Sequence, residues 1–237
     1  MSVKLAIGIP AYGGHIDMHA AGMYLSLGFA LADYDTIEIY PEILYTNLCP
    51  VDHARNVIMQ RALTVEADWL LTIDADVFHD EGAGGYDVRD TGLDGGYALL
   101  DMLLAGERGG AAVIGAAVWQ RATKPERHRM AYLRQTINPD PKNPYRPLSE
   151  GEIRAGLEDH GGVIEVDRLS TSLIAFNVPW VRDHVPKPWF IFPHVENSIE
   201  RLGEDLWFCD SVKKAGGKIL CDLRFTPKHL GRPELIP

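Results

Sequence analysis

Short apolar runs, each closed by a turn-forming or acidic residue, recur along the first half of the chain and set its expected elements. Val3 to Ile9 is such a run, closed by Pro10 and then Gly13-Gly14. It predicts a buried strand ending in a loop. His15 to Leu31 is rich in Ala, Leu and Met and predicts a helix. Thr36 to Tyr40 alternates and is β-branched, predicting a second strand. Asp52 can cap a helix running to about Val65, with Ala54, Val57, Ile58, Ala62 and Val65 on one face. Trp69 to Ile73 predicts another buried strand, followed at once by Asp74-Ala75-Asp76.

Residues 80 to 96 are rich in Gly and Asp and read as a loop. Tyr97 to Ala105 predicts a helix, and Ala111 to Trp119 a buried strand. Gln120 to Ser149 mixes Pro with Arg and Lys and has no period, so it reads as a long connection, a type that is usually functional or mobile. Val163 to Val178 predicts one or two strands. Glu204 to Ala215 predicts a helix stopped by Gly216-Gly217, and Lys218 to Leu223 a last strand. No internal repeat and no interdomain linker is visible. Strands alternating with helices imply an α/β fold, a mostly parallel, doubly wound sheet with helices on both faces. The expected organisation is a single domain over 1–237. Such sheets bind ligands beyond the carboxyl ends of their strands, which singles out the loops after Ile9 and Ile73.

Composition narrows the picture. Over 237 residues, hydrophobic types make up 46% and charged types 24%, which excludes disordered and low-complexity classes. The net charge of −10 argues against broad grip on nucleic acid, since phosphate binding rests on Lys and Arg. The three cysteines, Cys49, Cys209 and Cys221, form no C-x-x-C, so a disulfide scaffold or structural zinc is not expected and a reducing compartment fits. No basic segment followed by a long apolar one opens the chain, and no apolar run approaches the roughly 20 residues that span a bilayer. The expectation is a soluble cytoplasmic protein without a membrane span. The sequence sets no oligomeric state.

Three places carry chemistry. Asp74 and Asp76 lie one residue apart at the end of a strand, where a turn can aim both at one cation or at sugar hydroxyls. Hard divalent ions such as Mg2+ and Mn2+ prefer such oxygen donors, although a solvated acidic turn has the same sequence. Glu204 and Asp205 open an amphipathic helix, where acids also simply favour the macrodipole. His229 follows the last predicted strand, and imidazole is a borderline ligand for Mn2+.

Taken in order, these parts resemble the nucleotide-sugar-dependent glycosyltransferases of the GT-A fold, near the family-2-like group of bacteria and bacteriophages. The resemblance runs over nearly the whole chain. It rests on Ile9-Pro10-Ala11-Tyr12-Gly13-Gly14, Ala54-Arg55-Asn56, Asp74-Ala75-Asp76, Pro188-Trp189-Phe190, Gly203-Glu204-Asp205 and His229-Leu230-Gly231. It implies that Pro10, Ala11, Tyr12 and Gly13 line the nucleotide base and ribose, and that Arg55 lies near the donor nucleotide and its phosphates. A surface salt bridge is the plain alternative for Arg55. Asp74 would meet the ribose or donor sugar at the metal site. Asp76 and His229 would hold Mn2+ or Mg2+. Asp205, or otherwise Glu204, would serve as base, and the helix start would lower its pKa. The donor implied is a nucleotide diphosphate sugar, UDP-sugar before GDP-sugar. The acceptor stays open among a saccharide, a protein and a modified DNA base.

Residues 1–115 would then form the nucleotide-sugar half and 116–237 the acceptor half. Two departures bear on the carry-over. Ala75 stands where many relatives have another acid. The late histidine resembles retaining enzymes as much as inverting ones, so the stereochemistry stays open.

Several features have two readings. Trp180, Trp189, Phe190 and Phe192 with their prolines suit either a sugar platform or packing. Arg121, Lys124, Arg127, His128, Arg129 and Arg134 suit either an anionic ligand or a solvated loop. His79-Asp80-Glu81 mimics a metal cluster but adjoins the glycine-rich loop. Cys209 and Cys221 read as small buried hydrophobes. Two other function classes compete. A sugar-phosphate nucleotidyltransferase needs a basic, glycine-rich loop, and Pro10 to Gly14 has no Lys or Arg beside it. A non-catalytic nucleotide-sugar-binding module would be expected to lack the acids that are present here.

Overall fold

The computed structural model describes residues 2–11, 14–46, 50–78, 95–118, 129–135, 144–194, 202–225 and 227–229; for His19, Pro41, Glu42, Phe78, Gly95, Lys228 and His229 only the backbone is described. A seven-stranded sheet forms the centre. It is built from β1 (Val3–Pro10), β2 (Ile37–Thr46), β3 (Trp69–Ile73), β5 (Val113–Ala116), β8 (Val163–Val166), β10 (Leu173–Asn177) and β11 (Ile219–Asp222), in the order β2-β1-β3-β10-β5-β11-β8. β1 pairs in parallel with β2 and β3, and β5 with β11. β10 runs antiparallel between β3 and β5, and β8 antiparallel at the edge. Five strands thus share one direction, and the sheet is mostly parallel as the sequence implied.

The strand pattern explains the layers. All five residues of β3 are buried, as a strand covered on both faces requires. Leu5, Ile7, Trp69, Leu71 and Ile73 pack on one face with Met23 and Leu27 of α1 (Met18–Leu31) and Leu99, Leu100, Met102 and Leu103 of α3 (Gly95–Gly109). Ala6 and Leu70 turn to the other face. There they meet Ile58 and Met59 of α2 (Val51–Thr64), Val181 of α5 (Val178–His184), and Phe208 and Val212 of α6 (Glu204–Lys214). Gly8 lets α2 approach: a Cβ there would sit 2.5 Å from Ile58 Cγ2. Gly96 does the same for α3, since a Cβ would run into the Ser26 carbonyl of α1.

Several elements differ from the sequence reading. α2 begins at Val51 with Pro50 as its N-cap, so Asp52 sits in the first turn and does not cap. β2 continues through Pro41 to Thr46. The pairing jumps from Leu5↔Ile39 to Ile7↔Ile43, and this irregularity absorbs the proline. The stretch from 120 to 149 is not wholly irregular: β6 (Ala131–Arg134) lies between β7 (Tyr145–Pro147) and β9 (Arg168–Leu169) in a small antiparallel sheet. Val163 to Val178 holds three strands, not one or two. α4 (Glu150–Asp159) starts on a capping box in which Ser149 and Glu152 satisfy each other's backbone. β11 is followed by β12 (Lys228–His229), which pairs with β4 (Val77–Phe78).

Candidate functional site

The site is built where β3 ends. Asp74, Ala75 and Asp76 are half-buried and form a tight turn before β4. The Val77 N–H donates to the Asp74 carbonyl at 3.1 Å, and the Asp74 N–H donates to the Ser172 carbonyl at 2.8 Å. β4 and β12 then pair antiparallel with His229 opposite Val77. The backbone of His229 therefore lies beside the residue that follows Asp76, although the two are remote in sequence. Among the described side chains, no three His, Cys, Asp or Glu gather into a set that could hold a metal ion; the His229 side chain is outside that set.

One arginine joins two of the acidic motifs. Arg55 lies on the buried face of α2 with Ala54, Ile58, Met59 and Ala62. Its Nη2 donates to Asp74 Oδ1 at 2.8 Å, and its Nη1 pairs with Glu204 Oε1 at the start of α6. Only 5% of the arginine is exposed, so a surface salt bridge does not describe it. Its Nε has no hydrogen-bond partner among the described residues. Burial works against the Arg55 charge, but Asp74, Glu204 and Asp205 outweigh it and hold its pKa above the ordinary value.

The two acids at the start of α6 are shifted the other way from the sequence expectation. Burial pushes the Glu204 carboxyl up, and Arg55 offsets only part of that. Burial also pushes Asp205 up, against the Leu206 N–H that its Oδ1 accepts at 2.8 Å. The helix start alone would lower both, but loss of water outweighs it here. A carboxylate in this position is a stronger base than one in water.

Asn56, the neighbour of Arg55, fastens the Pro188-Trp189-Phe190 segment. Its Oδ1 accepts from the N–H of Trp189 at 2.9 Å and of Phe190 at 3.3 Å, and its Nδ2 donates to the Phe190 carbonyl at 2.7 Å. Trp189 and Phe190 are buried, and Phe190 stacks on Phe208 of α6 with centroids 4.7 Å apart. These two rings are core packing and not a sugar platform. Trp180 stacks on His184 instead.

Comparison with solved structures gives matches over almost the whole chain. A197 from STIV aligns with a TM-score of 0.56 and 14% identity, over 97% of this chain and 86% of that one. GalNAc-T7, crystallised with UDP, GalNAc and Mn2+, aligns with a TM-score of 0.51 and 11% identity, over 99% of this chain and 44% of that one. This chain therefore spans less than half of the GalNAc-T7 chain. S. aureus TarS 1-349 in complex with UDP-GlcNAc aligns at 0.45 and 14% identity, over 97% and 60%. The fold is GT-A. No protein-family model matches the sequence, and no curated protein matches it.

Within the GT-A fold the remaining sequence-marked residues fall as follows. Pro10 ends β1 opposite Thr46, and the Ala11 N–H donates to the Thr46 carbonyl at 3.0 Å; both Pro10 and Ala11 are buried. Tyr12, Gly13, His79, Asp80, Glu81, Arg121, Lys124, Arg127 and His128 lie outside the described residues. Of the basic stretch, Arg129 is half-buried, which lowers its pKa, and Arg134 is exposed. Cys209 and Cys221 are buried, with the Cys209 thiol pushed up to about 12 by burial. Among the described residues, no helix is long and apolar enough to cross a membrane.

Sequence reasoning passed over Tyr24, whose hydroxyl donates to the Ile73 carbonyl, and the buried Ser170-Thr171-Ser172 turn. The signal for the turn was there: three hydroxyl residues interrupt an otherwise apolar stretch. The Ser170 and Ser172 hydroxyls satisfy each other at 2.8 Å.

Proposed function

We propose that this GT-A protein is a metal-dependent glycosyltransferase that moves a hexose from a nucleotide diphosphate sugar, UDP-sugar before GDP-sugar, to an acceptor hydroxyl. The observation that carries this reading is the Arg55 bridge, which draws Asp74 and Glu204 into one buried cluster at the carboxyl end of β3. The match in fold to GalNAc-T7, crystallised with UDP, GalNAc and Mn2+, agrees with it.

Asp74 and Asp76 would offer a hard divalent ion carboxylate oxygens, and β12 brings the backbone of His229 beside Val77, the residue after Asp76. A bound Mn2+ or Mg2+ supplies Lewis-acid stabilisation of the nucleoside diphosphate leaving group. The reading assigns the base and ribose to the loop from Pro10 to Gly13, of which Pro10 and Ala11 are described. Arg55 offsets the charge of Asp74 and Glu204, so several carboxylates can share a small volume. Glu204 is engaged by Arg55, which leaves Asp205 to accept the proton of the acceptor hydroxyl. As the new bond to the sugar forms, the sugar–phosphate bond breaks and its electrons leave with the diphosphate. The second half of the chain, from about residue 116, shapes the acceptor side.

Calorimetry with UDP in the presence and absence of Mn2+ tests the reading, followed by a panel of donors read by nucleotide release. Binding that requires the ion and is lost in Asp76→Ala supports it. Absence of UDP and GDP binding with either ion contradicts it.

A further inference from the structure

The turn that carries Asp74 and Asp76 is fastened through its backbone from two sides. The loop before β10 supplies the Ser172 carbonyl, which accepts the Asp74 N–H at 2.8 Å. The other fastenings come from the start of the chain. The Asp17 N–H, just before α1, donates to the Ala75 carbonyl at 2.8 Å. The Tyr24 hydroxyl, two helical turns further on, donates to the Ile73 carbonyl at 2.7 Å. That carbonyl needs a partner, because it points away from β10, opposite to the Asp74 N–H of the same peptide, and the pairing of β1 with β3 ends at Gly8 and Thr72.

We propose, resting on the reading of this site as a divalent-cation centre, that Tyr24 is a positioning residue: its hydroxyl fixes the Ile73 carbonyl and thereby the direction in which Asp74 and Asp76 present their carboxylates. A side chain from α1 thus acts on a ligand set it does not join. A phenol suits the task because it is neutral and adds no charge that competes with the ion. Burial, and then the charge of Asp74, hold the Tyr24 pKa well above its ordinary value, so the hydroxyl remains a donor. Oriented ligands bind an ion more tightly than loosely held ones, as outer partners do at other metal centres.

The test compares wild type, Tyr24→Phe and Tyr97→Phe. Mn2+ affinity is measured with UDP present, from the EPR signal of free Mn2+, beside a thermal unfolding curve for each protein. Tyr24→Phe keeps the ring and removes one hydrogen bond. It is expected to weaken Mn2+ about five- to tenfold at a temperature where every variant is folded. Tyr97→Phe removes a different tyrosine bond, to Asp33, and is expected to keep wild-type affinity. A lowered melting temperature with unchanged Mn2+ affinity in Tyr24→Phe overturns the inference, as does an equal loss in Tyr97→Phe. If the wild type binds no Mn2+ with UDP, the cation-centre reading falls and this inference with it. If the wild type binds and Tyr24→Phe binds equally well, only this inference falls.

Discussion

Arg55 Nη2 lies 2.8 Å from Asp74 Oδ1, which ties α2 to the turn after β3. The same guanidinium reaches Glu204 on α6, so three elements distant in sequence meet on one buried cation. Removing it leaves the buried Glu204 and the half-buried Asp74 uncompensated. Arg55→Ala should cost about 3–5 kcal/mol of stability. Arg55→Lys should recover little of this, because an ammonium cannot fork to both acids. Urea unfolding of the two variants checks this, and an Arg55→Ala cost below about 1 kcal/mol would show that the cluster does not hold the site together.

Burial raises the carboxyl pKa of Asp205 from its ordinary 3.8 and that of Glu204 from its ordinary 4.5. The folded state then holds these protons more tightly than the unfolded state. Each group's contribution to stability therefore falls as pH rises from its ordinary value through its raised one, and is level above that. Asp205→Asn removes one such cost. The variant should gain on the wild type across that window and be the more stable protein at pH 7, while transfer falls about a hundredfold or more. Melting curves from pH 3 to pH 8, in steps of about one unit, follow this directly. An Asp205→Asn protein less stable than wild type at pH 7 would refute the burial argument.

The elements most readable from sequence were those whose pattern is local. Val3 to Ile9, Trp69 to Ile73 and Glu204 to Ala215 closely match β1, β3 and α6, since buried strands and a glycine-stopped helix announce themselves in consecutive residues. β6 and β7 did not, because a three-residue strand such as Tyr145–Pro147 exists by pairing with β6. The acids of the site were visible as motifs. The role of Arg55 was not, because a helical pattern assigns an arginine to the wet face unless its partners are known. Asn56 and Tyr24 act on backbone groups far along the chain, which no local spacing encodes.

Asn56 bonds both backbone groups of Phe190 and the N–H of Trp189. Asn56→Ala should cost about 1–3 kcal/mol per backbone group left unsatisfied. Trp189→Leu should lower stability and leave UDP affinity unchanged, as measured by calorimetry on the folded protein. A loss of UDP affinity at unchanged stability would return Trp189 to the ligand surface.

Glu152 in the capping box of α4 has its pKa held at about 2, chiefly by the Arg146 side chain and further by Ser149. Its stabilising contribution is present above its ordinary value of 4.5 and is lost as pH falls toward 2. Glu152→Gln should flatten that part of the acid unfolding curve; an unchanged acid limb would remove Glu152 from the account. Both side chains are partly exposed, so the effect is modest.

The proposed function requires one cation to meet Asp76 and His229, which are remote along the chain. The most direct measurement is a crystal grown with UDP and Mn2+ and read at the manganese absorption edge. The account predicts a single anomalous peak beside the Asp76 carboxylate and the His229 imidazole, next to the diphosphate. A peak at other residues, or UDP bound in an ordered crystal with no peak, would contradict it.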